Sequence, residues 1–502
     1  MVRSLKFSSL EEMAQSSLKC HVPEENLDRE ELYLRVLKKK GLNEYDTELY
    51  MRNVRNAAED FALYARLYPL HVEFFNLLRE FSRTYCKYDK RNPELSVYRA
   101  ETVLMVVLIA SCCGCTTSEE YARFWFEHHP FLSCMLEMPE PNHMIHPDTI
   151  NTILSLVPSD AFEVLFLRMF SIMSNPSESL MDEDFKPGMK KTLGGDGQEL
   201  RASYRRGVSN RKKKGAQGVT LYDCDGRAVV DYTTVTQKNH EVDAFIKLLS
   251  RLSVNDEFIF YANAINTRAN LIDFLNEREI DWLLPVKNNG SCKELRTDIK
   301  SAFDTEGDEN KIVEETANKT GGRVESRRYS FLPASVVHSD KFKNLGTLIK
   351  VEKRTQFPRK GATEPLRRPE KSEIVYISSL PFNEDNAFQL RHSLEVRWRY
   401  EAHHNTLDEV TPQDRRAMCD ENHLSTIIVL NKAVYNILSY ARKELLQTRG
   451  YTSNGRVTKK ITRNTRPLSY KGTMGLFNSN VAFAMGMIAS YLRKARETRE
   501  QN

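Results

Sequence analysis

Between residues 218 and 287 the chain alternates between strand patterns and helix patterns. GVTLYDCDGRAVVDYTTV predicts a β-hairpin with Asp225–Gly226 at its turn, because Asp-Gly suits the tight turns that join antiparallel strands. The next patterns are an amphipathic helix, a strand, a second helix and a second strand: HEVDAFIKLLSRL, EFIFYA, RANLIDFLNERE and DWLLPVK. Strands that alternate with helices are typical of an α/β fold. We therefore predict an α/β core for this part of the chain.

The length of 502 residues is more than one ordinary core accommodates, so several domains are expected. Residues 1–95 are charged, with helical patterns, and are predicted to form a helical extension. Apolar helical patterns with capped starts predict a compact helical domain over 96–185, which ends in a linker. The α/β core is predicted over 186–440, with a strand-and-loop insertion at about 292–370, and 441–502 as a basic C-terminal tail.

The composition, 40% hydrophobic and 28% charged, is that of a globular protein. The chain has no apolar run of the ~18 residues that a membrane span needs, and its first residues contain no run of signal-peptide length. We therefore expect a reducing compartment and free thiols for the nine cysteines. Cys112, Cys113 and Cys115 lie on an apolar segment and are predicted to be buried thiols. A zinc site would need further ligands, and none follow nearby.

Two segments concentrate the positive charge of the chain. Residues 201–214 contain seven Arg/Lys and no acid, and residues 442–471 contain nine Arg/Lys and one acid. Such blocks suit a phosphate backbone, because each neutralised phosphate releases counterions, but a solvated flexible loop would have the same composition. The candidate DNA contacts of the first block are Arg201, Arg205, Arg206, Arg211, Lys212, Lys213 and Lys214.

Three polar residues stand where an α/β core could bring them together. Asp196 lies between Gly195 and Gly197, which would let a ligand or another backbone approach its carboxylate. Asn263 ends the strand EFIFYA, and Glu401 lies on a predicted long helix. Hard oxygen ligands in this arrangement can hold two Mg²⁺ about 3.5–4 Å apart for phosphoryl transfer. A chain with 68 acids offers many such triples, so composition alone does not select this one.

Six stretches carry a family resemblance, in order from about residue 96 to residue 440. They are the helical pair YRAETVLMVVLIASCCGCTTSEEYARF and HPDTINTILSLVPSDAFEVLF, then DGQELRAS, NEREIDWLLPVKNNG, EIVYISSLP and RWRYEAHHNTLDEV. The helical pair resembles the N-terminal associated domain of the H-repeat-associated DDE transposases of bacterial insertion sequences. The others resemble that family's "IDGKTLRGS", "GADYVLALKGNQ", "RYYISSL" and "HWxIENxLHWxLDV" boxes. The resemblance implies an RNase H-like mixed-sheet catalytic core with a β-rich insertion, preceded by an all-helical domain.

Carried over residue by residue, the resemblance implies that Asp196, Asn263 and Glu401 are the catalytic, metal-binding residues. The family's second acid opens "DAMGCQ" after a strand, and the matching stretch here is NAINTR after FIFYA, which puts Asn263 at that position. An amide offers one neutral oxygen and not the charge that holds two divalent ions close together. We expect weaker binding of Mg²⁺ or Mn²⁺ and a transition state that is less stabilised by several kcal/mol.

Further departures from the family pattern indicate a diverged member. Arg397 stands in place of a His, Ala402 in place of the Asn after the glutamate, and Ala202 in place of a box glycine. Asp256 opens the strand that Asn263 ends, but seven residues along an extended strand span roughly 23 Å, so it cannot substitute. Asp273 lies on the following helix and is interpreted as a solvated helix acid.

Residues around the predicted site each have more than one interpretation. Arg397 is a candidate DNA contact or a salt-bridge partner of Glu401, four residues on. His403 and His404 are adjacent on a helix and point about 100° apart, which favours packing over joint metal ligation. Trp398 is interpreted as a core residue. Lys287–Asn288 follow a strand and either face the site or end the strand.

The predicted function is DNA transposition: binding of terminal inverted repeats as a homo-oligomer and metal-dependent strand cleavage and transfer, impaired by Asn263. The alternative is an inactive, transposase-derived protein that binds double-stranded DNA. A third interpretation is a helical interaction protein in which the core is only a scaffold. We expect no membrane partner. The expected location is the cytoplasm, on the nucleoid, for a bacterial protein and the nucleus for a eukaryotic one.

Overall fold

The chain divides into two compact units, a helical unit within 71–172 and 405–501 and a sheet unit within 188–199 and 217–404. The structure is a computed structural model. It describes residues 71–92, 96–135, 144–172, 188–199, 217–235, 241–252, 257–288, 290–320, 323–357, 369–411, 420–453, 457–458 and 465–501.

Five helices form the N-terminal part of the helical unit: α1 (His71–Tyr85), α2 (Ala100–Cys112), α3 (Ser118–Met135), α4 (Pro147–Ser155) and α5 (Ser159–Met169). Helix α2 is apolar on all sides and buried from Thr102 onward, as expected for a helix surrounded by others. Helix α3 begins with a capping box, in which the Glu120 carboxylate accepts the Thr117 N–H and the Thr117 hydroxyl accepts the Glu120 N–H. Cys112 and Cys113 are buried free thiols, as predicted, whereas Cys115 is partly exposed.

The sheet unit begins with five strands and two helices: β1 (Lys191–Glu199), β2 (Gln217–Asp223), β3 (Ala228–Val235), α6 (Glu241–Leu249), β4 (Phe258–Ala262), α7 (Ala269–Glu277) and β5 (Asp281–Val286). Strands β2 and β3 form the predicted hairpin, and β1 lies antiparallel to β2 but parallel to β4, which is parallel to β5. The order β3-β2-β1-β4-β5 with these directions is the RNase H-like arrangement. The predicted α/β fold class is confirmed.

The strand-rich insertion extends this sheet. Its elements are α8 (Lys293–Thr305), β6 (Ile312–Thr320), β7 (Arg323–Pro333) and β8 (Thr347–Gln356), and it is followed by β9 (Glu370–Ser378), the predicted strand EIVYISSL. Strand β9 pairs antiparallel with β5, and β8, β7 and β6 follow in antiparallel order. The described strands therefore form one nine-stranded mixed sheet.

Helices cover both faces of the sheet, which explains why its central strand has no polar face. In β4, Phe258 and Phe260 pack on the side of α6, α7 and α8, while Ile259 and Tyr261 pack on the opposite side. That opposite side is covered by α9 (Glu384–Val396), whose cap residue Asn383 accepts the Asn386 N–H as predicted. The alternating side chains of a strand between two helical layers are all buried.

The predicted long helix is divided in two at Arg397, where α9 ends and α10 (Trp398–Val410) begins. The Tyr400 N–H bonds to the Arg397 carbonyl, three residues back, so the chain tightens locally at the break. The helical pattern of the sequence runs through this position without a sign of the interruption.

Three more helices belong to the helical unit: α11 (Glu421–Arg449), α12 (Tyr470–Ser479) and α13 (Val481–Gln501). The described part of 441–502, predicted as a basic tail, thus contains the end of α11 and two whole helices with buried apolar side chains. Within the described part of the chain, no single helix is long and apolar enough to span a membrane. Pro147–Ser155 and Ser159–Met169 pass that test only together, as a pair bent by 91°.

Candidate active site

Asp196 and Asn263 meet where strands β1 and β4 end their pairing. The parallel register closes with Gly195 opposite Ala262, so the next residue of each strand lies at the same edge of the sheet. Asn263 Nδ2 donates a hydrogen bond of 2.8 Å to Asp196 Oδ1, which also accepts the Gly197 N–H at 2.9 Å. The amide of Asn263 therefore contacts the Asp196 carboxylate directly.

The glycines beside Asp196 make room for side chains of α6. A Cβ on Gly195 would lie 2.6 Å from Phe245 Cε1, and a Cβ on Gly197 would lie 2.5 Å from Glu241 Oε1. At Gly195 the close atoms belong to buried aromatic rings, so only glycine allows α6 to pack this closely on β1 there, whereas the Glu241 carboxylate beside Gly197 is the end of a flexible side chain. The expectation that these glycines let a ligand approach Asp196 stays a prediction.

Glu241 is a second carboxylate at this edge, and sequence reasoning did not select it. It is the first residue of α6 and is buried, with 9% of its surface exposed. Its Oε2 accepts a 3.1 Å hydrogen bond from Asn266 Nδ2, and the Asn266 N–H bonds to the Asn263 carbonyl. An acid in the first turn of a helix is common because it complements the helix dipole, so no pattern in the sequence marks Glu241 as part of a site.

The electrostatics of Asp196 reflect a carboxylate among other acids. Burial raises the pKa of Asp196 to about 7, and the hydrogen bonds from Gly197 and Asn263 only partly oppose this, while the negative charges of Glu241 and Glu401 raise it further. Both charged side chains among the main causes of this shift are negative, so a bound cation would stabilise the ionised form of Asp196.

Glu401 projects from the first turn of α10 and is half exposed. Its Oε1 lies 3.8 Å from Nη1 of Arg397, and the same Nη1 donates to the Tyr261 hydroxyl at 3.0 Å. Burial raises the pKa of Glu401, and Arg397 opposes that shift. Arg397 is thus the salt-bridge partner of Glu401, as one of the two interpretations expected. It also links Glu401 to β4, because Tyr261 lies on that strand, two residues before Asn263.

The interpretation of Trp398 as a core residue is wrong, because 37% of its surface is exposed. The ring has cations around it: the guanidinium carbons of Arg397 and Arg327 lie 4.3 Å and 5.9 Å from its centroid, and Lys353 Nζ lies 5.8 Å away. Trp398 is the first residue of α10, directly after the break between α9 and α10, which the helical pattern of the sequence does not reveal.

The two histidines after Glu401 pack on tyrosine rings. His403 is buried and stacks on Tyr222 with centroids 4.8 Å apart, and His404 Nε2 lies 2.9 Å from the Tyr400 hydroxyl. This agrees with packing and not with joint metal ligation. Lys287 and Asn288 are exposed after β5.

Other candidates lie away from the site or outside the described residues. Asp273 is in the second turn of α7. Asp256 and the whole basic block 201–214 fall outside the described residues.

The oxygens at this edge suit a divalent cation by their chemistry. Asp196 Oδ2 and Glu241 Oε1 have no hydrogen-bond donor among the described residues, and neither carboxylate has a lysine or arginine partner there. Carboxylate and amide oxygens are the ligands that a hard divalent cation prefers. The described residues do not contain three His, Cys, Asp or Glu side chains gathered into a ready metal cluster.

Comparison with known proteins supports the transposase resemblance at the level of the domain. Residues 192–437 match the family model described as the transposase DDE domain, a range that contains Asp196, Asn263 and Glu401. The cryo-EM structure of a piggyBac transposase synaptic complex with hairpin DNA is similar with a TM-score of 0.39 and 12% sequence identity, over 87% of this chain and 84% of that chain. No curated protein matches the sequence.

Proposed function

We propose that this protein is a DDE-type transposase, of the H-repeat-associated kind, that binds terminal inverted repeats of double-stranded DNA and cleaves and transfers strands with Mg²⁺ or Mn²⁺. The observation that carries the proposal is the meeting of Asp196 and Asn263 at one sheet edge within a stretch that matches the transposase DDE domain. Glu401 on α10 is the third residue of the proposed set, and its negative charge raises the pKa of Asp196.

Each residue has a distinct role in the proposed reaction. When bound, the metal supplies charge for the attacking and leaving oxygens of the phosphodiester. Asp196 and Glu401 would hold it with carboxylate oxygens, and Asn263 would contribute one neutral oxygen or orient Asp196 by its amide. Arg397 holds Glu401 and the Tyr261 hydroxyl, and so positions the helix side of the site.

A second candidate function has one specific observation in its favour. The Asn263 amide donates a hydrogen bond to Asp196 Oδ1. A carboxylate at position 263 would instead repel that oxygen in the absence of metal. The apo site is thereby stabilised without metal, which suits a protein that has kept the fold to bind DNA and no longer cleaves strands.

A nicking assay separates the two functions. The substrate is a duplex carrying the inverted repeats that flank the gene, with Mg²⁺ or Mn²⁺, and the control protein is Asp196→Asn. Metal-dependent nicking by the wild type that Asp196→Asn abolishes supports the transposase. Salt-sensitive binding of the same duplex without nicking supports the DNA-binding protein, and no binding contradicts both.

A further inference from the structure

We propose that three cations at the carboxyl edge of the sheet, Arg268, Lys287 and Lys293, form a cationic rim that binds the DNA phosphates beside the one to be cleaved. The inference deepens the proposed function and rests on it, since it concerns the strand that Asp196 and Asn263 would act on. It selects the first of the two interpretations of Lys287, in which this residue faces the site and does not merely end a strand.

Parallel pairing brings the ends of β1, β4 and β5 to the same edge of the sheet. By the register of β4 and β5, Asn263 is level with Pro285, and by the register of β1 and β4 it is level with Asp196. Lys287 lies two residues beyond this row, so its Cα is roughly 12 Å from that of Asp196, two strand spacings across and two residues along. Ligands of α/β sheets bind outside the carboxyl ends of the strands, so a DNA strand at Asp196 would pass along this edge.

One buried residue, Thr267, holds the backbone under the cationic rim together. Its hydroxyl donates to the Pro285 carbonyl at 2.7 Å, and its own carbonyl accepts the Cys292 thiol at 3.6 Å. Each cation of the rim follows one of these three anchored residues by one or two positions. The three side chains therefore extend from neighbouring backbone segments that are fixed to one another.

The surface between the site and the cationic rim is open. Asn263 is exposed, and Ile265, two residues further on, exposes 43% of its surface. Arg268 ends the same segment and is exposed as well. A strand bound at Asn263 can thus continue along this segment to the rim, with Ile265 as an apolar contact for its sugars.

The positive charges of the cationic rim are not used within the described part of the chain. All three side chains are exposed, and none makes an ion pair, a hydrogen bond or a ring contact there, whereas Lys190, at the other end of β5, pairs with Asp281 at 2.6 Å. One exposed acid, Glu294, follows Lys293, but adjacent helix residues point about 100° apart. Free cations in a row complement a phosphate backbone, because each contact releases counterions from the DNA.

The first test measures DNA affinity, separately from cleavage, by fluorescence anisotropy of the full chain with a duplex that carries the inverted repeats flanking the gene. Lys287→Gln should flatten the plot of log affinity against log salt by about 0.9, and Arg268→Gln combined with it by about 1.8. Lys287→Arg keeps the charge and should keep the slope. Lys343→Gln is the matched control, because this exposed lysine lies at the opposite edge, where its carbonyl accepts Asn276 Nδ2 beside the start of β5. All these side chains are exposed, so the melting temperatures should agree.

The second test locates the phosphate that the cationic rim contacts. A single methylphosphonate, which removes the charge of one phosphate, is placed in turn at each position around the end of the repeat. At the contacted position, the wild type should lose about two- to fivefold more affinity than Lys287→Gln does, the range of an exposed ion pair. This difference is the coupling of a double-mutant cycle between side chain and phosphate, and Lys343→Gln should lose as much as the wild type.

The outcomes separate this inference from the proposed function. If the wild type binds and nicks the duplex, while the rim variants keep its salt slope and its response to every methylphosphonate, the rim is only solvated and the proposed function stands without it. Coupling to a phosphate far from the cleavage position would also overturn the inference, since the rim would then bind DNA away from the site. If the wild type does not bind the duplex, the inference and the proposed function both fail.

Discussion

At the scale of single residues, the hydrogen bond from Asn263 to Asp196 stabilises the site when no metal is bound. The Asn263 amide offers an N–H donor to a carboxylate oxygen that otherwise lies among negative charges. Replacement of Asn263 by Asp, which has no N–H donor, therefore turns an attractive contact with Asp196 into a repulsive one. The same replacement adds the charge that a divalent cation needs, so its effect must depend on metal.

We predict that Asn263→Asp is neutral or destabilises the apo protein by at most about 1 kcal/mol, because two acceptors then face each other across 2.8 Å at an exposed contact. With Mn²⁺ the difference should shrink or reverse, since metal that binds only the folded state raises its stability. The measurement is the melting temperature of both proteins with and without Mn²⁺, beside a nicking assay. Asn263→Ala, which removes the hydrogen bond without adding charge, is the control and should gain nothing from Mn²⁺. Equal melting temperatures for wild type and Asn263→Asp in both conditions would contradict this account.

A second prediction concerns the close packing of α6 on β1. Gly195→Ala places a Cβ 2.6 Å from Phe245 Cε1 and 2.9 Å from Phe260 Cε2, both inside the core. Such overpacking should lower the free energy of unfolding by about 1–3 kcal/mol in urea denaturation. Gly475→Ala is the matched control, because no atom lies within 4 Å of its Cβ on helix α12. It should be neutral or stabilising by up to about 1 kcal/mol. A neutral Gly195→Ala would show that α6 lies farther from β1.

The residues of the site were accessible to sequence reasoning to different degrees. Asp196 and Asn263 could be selected because strand ends and flanking glycines are visible in a pattern of period two. Glu241 could not, since its closeness to Asp196 arises from the packing of a helix 45 positions later in the chain. Tyr261, which binds Arg397, has the pattern of an ordinary apolar strand residue.

At the scale of elements, strand and helix patterns predicted the elements of the sheet unit but not how they break. EFIFYA, DWLLPVK and EIVYISSL correspond to β4, β5 and β9, because central strands give short apolar runs bounded by polar residues. The break at Arg397 left no such trace, since no glycine or proline stands near it on either side. The exposure of Trp398, the first residue after the break, was missed as well.

Helix α11 offers a prediction about pH, because it carries a buried lysine. Burial lowers the pKa of Lys432 to about 7, and the charge of Asp408 only partly opposes the shift. Between this value and the ordinary 10.5 the unfolded chain binds a proton that the folded chain does not, so stability should rise as pH increases from about 7 to about 10.

Lys432→Met should remove this dependence and stabilise the protein at neutral pH, with each unit of pKa difference worth about 1.4 kcal/mol. The measurement is urea denaturation at pH 7, 8, 9 and 10. The exposed Lys471→Met on α12 controls for removal of a positive charge and should keep the wild-type slope. A wild type whose stability is flat or falls over this range would show that Lys432 stays charged in the folded state.

At the scale of the whole molecule, the predicted insertion is an extension of the sheet. Strands β6 to β9 continue the hydrogen bonding of β5, so the described sheet unit is one nine-stranded structure. The sequence indicates strands in this region but not their partners, since pairing depends on residues distant in the chain. The sequence likewise does not show that α11, α12 and α13 belong to the same unit as the N-terminal helices, because that depends on packing between distant parts of the chain.

The last prediction concerns how the protein holds DNA, and it distinguishes the two basic blocks. In 442–471, Arg442 lies 3.8 Å from the Tyr470 ring centroid and its Nε donates to the Leu468 carbonyl, while Arg449 lies 4.9 Å from the Phe483 ring. These cations stabilise the helical unit, which leaves them less free to follow a phosphate backbone. We therefore expect the block 201–214, with seven cations and no acid, to contribute more to the salt dependence of DNA binding.

Neutralisation of Lys212, Lys213 and Lys214 to Gln should flatten the plot of log affinity against log salt by about 0.9 for each phosphate that is no longer neutralised. The measurement is fluorescence anisotropy with a terminal-repeat duplex and with an unrelated duplex, from low to high salt. Both duplexes should weaken together, since hydrogen bonds to phosphate carry no sequence information. Replacement of Arg442 and Arg449, which contact aromatic rings, by Gln is the comparison in the second block and should change the slope less. If the first variant keeps the wild-type slope on both duplexes, the block 201–214 does not bind phosphate and the DNA surface lies elsewhere on the chain.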